Sequence, residues 1–150
     1  MKTRTKIHDN WKTPESLYNE LNTEFNFDFD PCPLHWDGAP ETDGLEIEWG
    51  SRNFINPPYS LRLKTAFVCR AVEMSWGAGK LCVLLLPVST STKLFHDVIQ
   101  PNITEPIRFL RGRVKFEGVN SKGVFVSGKC GMHDSMIVIM DGREKSIDDL

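Results

Sequence analysis

The stretch NFINPPYS, residues 53–60, decides the reading of this 150-residue chain. Asn53–Ile55 reads as a buried strand, and the prolines behind it stop it, because proline has no N–H to donate and holds φ near −65°. The strand therefore delivers Asn56, Pro57, Pro58 and Tyr59 to one sheet edge: an amide, two rigid residues and a phenol ring. The Asn56 side-chain oxygen and the Pro57 carbonyl are two acceptors suited to the two hydrogens of an amine such as adenine N-6. Proline fixes where the second carbonyl points, which is orientation rather than acid–base chemistry. Tyr59 offers a flat face on which a base taken out of its helix can stack. The bland reading of the same residues is a proline turn with a surface tyrosine.

Upstream, Leu17, Leu21 and Phe25 repeat at helical spacing behind Thr13 and Pro14. This predicts a helix from about Pro14 to about Thr23, with Thr13 as cap and Pro14 in the first helical position. The alternation in FDFD predicts a short strand ending at Asp30, and CPLHWDGAPETDG predicts a loop. Downstream, LRLKTAFVCRAVEMSW carries Leu63, Ala66, Phe67, Ala71 and Met74 at helical spacing. LCVLLLP has the unbroken apolar character of a strand buried on both faces of a parallel sheet. TKLFHDVIQ predicts a short helix; IRFL, VKFEG, GVFVSG and SMIVIM predict strands, the last of them central. The order implies an α/β fold, a mixed and mostly parallel sheet flanked by helices with a partly antiparallel end. In open sheets of this kind ligands bind beyond the C-terminal strand ends, where Asp30, Asn56 and Pro87 fall.

A hydrophobic content of 40% with 25% charged residues fits one soluble domain over residues 1–150, and no apolar run approaches a membrane span. No apolar segment follows MKTRTKIHDNW, so a cytoplasmic location is expected. The net charge of −2 argues against binding polyanions over the whole surface. Arg108, Arg111, Arg113 and Lys115 nevertheless cluster in one short segment, and Lys2, Arg4 and Lys6 crowd the N-terminus. A local face for DNA phosphates is the reading preferred over solvated turn residues. Two C-x-x-H pairs, Cys32 with His35 and Cys130 with His133, have permissible zinc spacing within each pair. Their separation matches no recognised finger, so reduced, buried thiols and no metal are expected.

NPPY at a strand end resembles the catalytic motif of S-adenosylmethionine-dependent amino methyltransferases. WKTPESLY, FDFDPC and TDGL match further pieces of that class in order, TDGL lying thirteen residues before Asn56. With LLLP and RFLRGRVKF added, the arrangement resembles the small phage and prophage DNA N-6-adenine methyltransferases related to Dam over nearly the whole chain. The resemblance implies a reduced Rossmann-like methyltransferase fold that moves a methyl group from S-adenosylmethionine to adenine N-6 in double-stranded DNA, acting on a flipped adenine as monomer or homodimer. It implies catalytic roles for Asn56, Pro57, Pro58 and Tyr59, and cofactor contacts from Trp11, Thr13, Pro14, Asp30, Pro31, Cys32 and Asp43. Asp30 would take the cofactor's ammonium group and Asp43 a ribose hydroxyl or the adenine amine. Tyr59, Arg108, Arg111, Arg113 and Lys115 would contact DNA.

The chain also departs from larger relatives of that class. DPC continues as PLHWDG with no Gly-rich turn, and too few residues separate Cys32 from Asp43 for the usual helix and second strand. Cofactor binding must be built differently or less completely here. Other acceptors of the same chemistry are RNA adenine, cytosine N-4 and protein glutamine, and a DNA-binding accessory module without catalysis is a reading from another class.

Overall fold

The apolar run Leu81–Pro87 forms the axis around which the chain is built, and why it is buried on both faces explains the layers. The computed structural model describes residues 11–33, 43–119, 125–130 and 133–144. Its strands are β1 (Trp11–Lys12), β2 (Arg52–Ile55), β3 (Leu81–Pro87), β4 (Arg108–Phe109), β5 (Lys115–Val119), β6 (Phe125–Cys130) and β7 (Ser135–Asp141). The helices are α1 (Glu15–Phe25), α2 (Leu61–Val72) and the short α3 (Gln100–Asn102); π-helical turns at Glu73–Gly77 and Leu94–Ile99 continue α2 and lead into α3.

Successive side chains of a strand point to opposite faces. Cys82, Leu84 and Leu86 of β3 accordingly join Met136, Val138 and Met140 of β7 beneath α2, whose Leu63, Phe67, Val68 and Ala71 repeat at helical spacing. Leu81, Val83 and Leu85 join Ile137 and Ile139 on the other face, under Leu21 and Phe25 of α1 and Phe116 of β5. Fully burying one such side chain contributes about 1.5–3 kcal/mol, so this double-sided core carries the fold.

The main sheet has the order β2-β3-β7-β4, and β7 is central, as its sequence predicts. β2 and β3 pair in parallel across the α2 crossover, whereas β3 with β7 and β7 with β4 are antiparallel. The expectation of a mostly parallel sheet is therefore corrected: the fold is α/β with mixed sheets in which antiparallel pairing dominates among the described strands. After β3 the chain passes through β4, β5 and β6 and re-enters the sheet at the edge where β3 ended, where Val88 N–H donates to the Asp134 carbonyl at 2.8 Å, so β7 runs back. A second, antiparallel sheet, β1-β5-β6, packs beside α1 and pairs Trp11 with Gly118 and Lys12 with Glu117.

The strand expected in FDFD is reduced to a single parallel bridge between Phe29 and Asn53. Two backbone bonds make it, Asp28 N–H to the Arg52 carbonyl at 2.8 Å and Phe54 N–H to the Phe29 carbonyl at 3.1 Å, while the Asp28 carboxylate takes the Arg52 N–H at 2.9 Å and the Ser51 N–H at 3.3 Å. Among the described residues no helix is long and apolar enough to cross a membrane.

Candidate active site

Beyond the end of β2 lies a cavity of about 400 Å³. Trp11, Lys12, Thr13, Glu15 and Tyr18 form one wall, Asp30, Cys32 and Pro33 a second, and Phe54 and Asn56 the strand side. Phe54 and Asn56 share a face because they are two apart on an extended chain; Glu15 and Tyr18 share one because they are three apart on a helix. WKTP, DPC and NPPY, far apart in sequence, thus meet at one place.

Asn56 is 5% exposed and its amide is held in one orientation. Nδ2 donates to the Trp11 carbonyl at 2.7 Å and to Thr13 Oγ1 at 3.1 Å. Oδ1 is buried with no hydrogen-bond partner. A buried amide oxygen without a donor costs about 1–3 kcal/mol. The Asn56 backbone carbonyl accepts from the Cys32 thiol at 3.3 Å. Pro57 and Pro58 are buried and are not among the residues that line the cavity.

The expected cap is corrected. α1 begins at Glu15, with Pro14 in the extended cap position at φ −56° and ψ 139° and no side-chain cap bond. Thr13 stands one residue earlier, and the hydroxyl predicted to cap the helix instead receives the Asn56 amide.

Asp30 keeps contact with solvent, yet protein crowding it from other sides raises its carboxyl to about 6, against the pull of the Cys32 N–H, which donates to Oδ1 at 2.9 Å. Burial, reinforced by the Asp30 charge, pushes the Cys32 thiol well up, so it remains a thiol and a donor. Asp43 is fully buried, and its carboxylate takes the Leu45 N–H at 2.9 Å within its own turn. Asp43, Pro14 and Pro31 are not among the residues that line the cavity. The DGL turn nevertheless packs on the DPC segment, since Gly44 meets Pro31 directly, and Trp49 Nε1 donates to the Gly44 carbonyl at 2.6 Å.

Tyr59 is not among the residues that line this cavity. Its ring meets Phe116 of β5 edge to face at 5.7 Å, and burial raises its hydroxyl above the ordinary phenol range. Leu110 and Val114, which flank the Arg111–Gly112–Arg113 turn, pack on the same apolar cluster. Gly112 takes φ +73°, a conformation that turns the chain there at little cost only without a Cβ.

Within the basic segment the arginines differ. Arg108 is committed to Glu24 by two contacts of 2.6 Å and lies over the Phe25 ring. Arg113 approaches Asp134 at 3.6 Å, while Arg111 and Lys115 are exposed and, among the described residues, make no ion pair. Lys2, Arg4, Lys6, His35 and Trp36 lie outside the described residues. Among those that are described no three potential ligands gather for a metal ion.

Reading the sequence missed Lys12, Glu15, Tyr18, Pro33 and Phe54 as lining residues. Two signals pointed to some of them: the period of two back from Asn56 to Phe54, and the helical spacing that brings Tyr18 beside Glu15.

A family model described as DNA N-6-adenine-methyltransferase (Dam) matches residues 1–148. The DNA N-6-adenine-methyltransferase of Haemophilus phage HP1 (strain HP1c1) is 34% identical over 123 residues, covering 76% of this chain and 69% of the phage protein. No solved structure matches the chain significantly. With NPPY at the end of β2, WKTP and DPC around one cavity and a family match along almost the full length, the chain belongs to the DNA N-6-adenine-methyltransferase (Dam) family, whose activity is methylation of adenine N-6 in DNA.

Proposed function

We propose that the chain carries out this methylation as a single, reduced Rossmann-like domain over residues 1–150, in the cytoplasm of a host cell. S-adenosylmethionine is the donor, bound in the Trp11–Asp30 cavity, and the acceptor is an adenine flipped from double-stranded DNA. The observation that carries the reading is Asn56 Oδ1, a buried acceptor with no protein partner at the end of an NPPY strand.

The residues present fit such a donor. A cavity of about 400 Å³ is in the range of small-molecule sites. Asp30, whose carboxyl is raised by crowding, gains from a neighbouring cation, which suits the cofactor's ammonium group. The first-turn N–H groups of α1 have no intrahelical acceptors and favour a carboxylate. Trp11, Tyr18 and Phe54 supply aromatic walls for a purine. Pro14, Pro31, Cys32 and Asp43 complete or support this half of the site, and Thr13 joins it to Asn56. When bound, S-adenosylmethionine supplies a methyl group on a sulfonium sulfur, which departs as a neutral thioether.

The protein's own part is to hold and orient the amine. Asn56 Oδ1 and the Pro57 carbonyl would accept the two N-6 hydrogens and leave the nitrogen electron pair free for an incoming methyl group. On accepting a methyl group the amine would become cationic and would release one of its protons to solvent, so no strong side-chain base is needed. Pro58 stiffens the loop behind Pro57, and Tyr59 gives the extruded base a face to stack on. Arg111, Arg113 and Lys115 contact phosphates, with Arg108 in a lesser part because Glu24 already holds it. A monomer or a homodimer can assemble this site.

The test is transfer of labelled methyl from S-adenosylmethionine to DNA, RNA and protein acceptors, followed by digestion to nucleosides. Label in N-6-methyldeoxyadenosine is expected. Label confined to RNA, cytosine or protein would overturn the acceptor, and failure to bind S-adenosylmethionine with or without DNA would favour an accessory module.

A further inference from the structure

We infer that Thr13 is a positioning residue for adenine capture, the group that locks the Asn56 amide with its oxygen turned toward the base. The inference rests on the proposed role of Asn56. A terminal amide has two orientations that differ by half a turn, and only one presents Oδ1 to an incoming amine. The Trp11 carbonyl, 2.7 Å from Nδ2, disfavours the reversed form because two acceptors would then face each other. One such contact leaves the side chain free to swing about it. Thr13 Oγ1, 3.1 Å from the same nitrogen, takes the second N–H and removes that freedom.

Both nitrogen hydrogens are then spent on protein acceptors, and the oxygen is the one polar atom of the side chain left over. Thr13 is 9% exposed and makes no capping bond to α1, so the hydroxyl is not needed to start the helix. β1 holds its neighbours Trp11 and Lys12 in antiparallel register with β5, which gives the threonine a fixed platform. An acceptor prepared in this way acts on the step in which the amine is aligned, not on cofactor binding.

The experiment measures single-turnover methyl transfer to DNA, and calorimetric S-adenosylmethionine affinity, for wild type, Thr13→Val, Thr13→Ser and Asn56→Ala. Thr13→Val keeps the shape and removes the acceptor; a rate loss of about tenfold is expected with cofactor affinity little changed. Thr13→Ser, which keeps the hydroxyl, recovers most of the rate. In a 15N spectrum the Asn56 side-chain amide loses protection from exchange in Thr13→Val but not in Thr13→Ser, a readout that does not depend on turnover. Wild-type rate in Thr13→Val, equal losses in both Thr13 variants, or a loss seen only in cofactor affinity would overturn the inference. Full rate in Asn56→Ala would instead overturn the role of Asn56 itself, and this inference with it.

Discussion

Gly44 packs so closely on Pro31 that a Cβ added to it would stand 2.0 Å from the Pro31 carbonyl oxygen. No side chain fits there without moving backbone, so the DGL turn and the DPC segment keep their contact only with glycine. Gly44→Ala should lower stability by about 1–3 kcal/mol. Because Pro31 leads into Cys32 at the cavity wall, S-adenosylmethionine affinity should fall with it. Thermal melting and calorimetry on the same variant check both.

Asp30 sets a pH dependence whose sign follows from the direction of its shift. Its folded-state value, about 6, lies above that of an ordinary Asp, so the folded protein holds the proton more tightly than the unfolded chain. The free protein therefore loses stability from this group as pH rises from about 4 to about 6, and the loss is complete above that window. Binding of a cation runs the other way, since it needs the carboxylate. S-adenosylmethionine affinity should rise through pH 6, and Asp30→Asn should bind weakly with that dependence removed, as titration at several pH values will show.

Arg108 and the Arg111–Arg113 turn should separate in a salt titration. Arg108→Ala breaks a paired contact with Glu24 on the surface and should cost about 0–1 kcal/mol of stability with a small change in DNA affinity. Arg111→Ala and Lys115→Ala should each weaken binding to any DNA sequence and reduce the slope of log affinity against log salt by about 1. Equal slopes in all three variants would remove the basic turn from the DNA face.

Tyr59 joins the proposed base-stacking site to the core through Phe116. Tyr59→Phe keeps the ring and should retain most activity, whereas Tyr59→Ala should lose stacking worth about 1–3 kcal/mol. DNA affinity and methyl-transfer rate measured for both variants check this, with the loss confined to Tyr59→Ala.

Much of this was legible because the signals are local. Pro14 with Leu17, Leu21 and Phe25 marks α1, and the uniform apolar run of β3 shows a strand covered on both faces. Asn56 to Tyr59 stand out because prolines ending a buried strand have few structural reasons to be there. FDFD pairs with β2 as its alternation suggests, through the Asp28 N–H and the Phe29 carbonyl, but over a single bridge rather than a strand. The sheet's direction was out of reach for a different reason. Whether β7 runs parallel or antiparallel depends on the edge at which the chain re-enters, and nothing in SMIVIM encodes that. Thr13 was visible as a residue type and misread as a cap, because its partner lies 43 residues away.

The most direct measurement is transfer of labelled methyl to adenine in DNA by wild type and by Asn56→Ala, with S-adenosylmethionine binding recorded for both. Loss of a preorganised contact to the reacting group predicts a fall of about 100-fold or more in rate. Cofactor binding should be largely kept, since Asn56 holds the amine and not the donor. Equal incorporation of label by the two proteins would contradict the role assigned to Asn56 Oδ1.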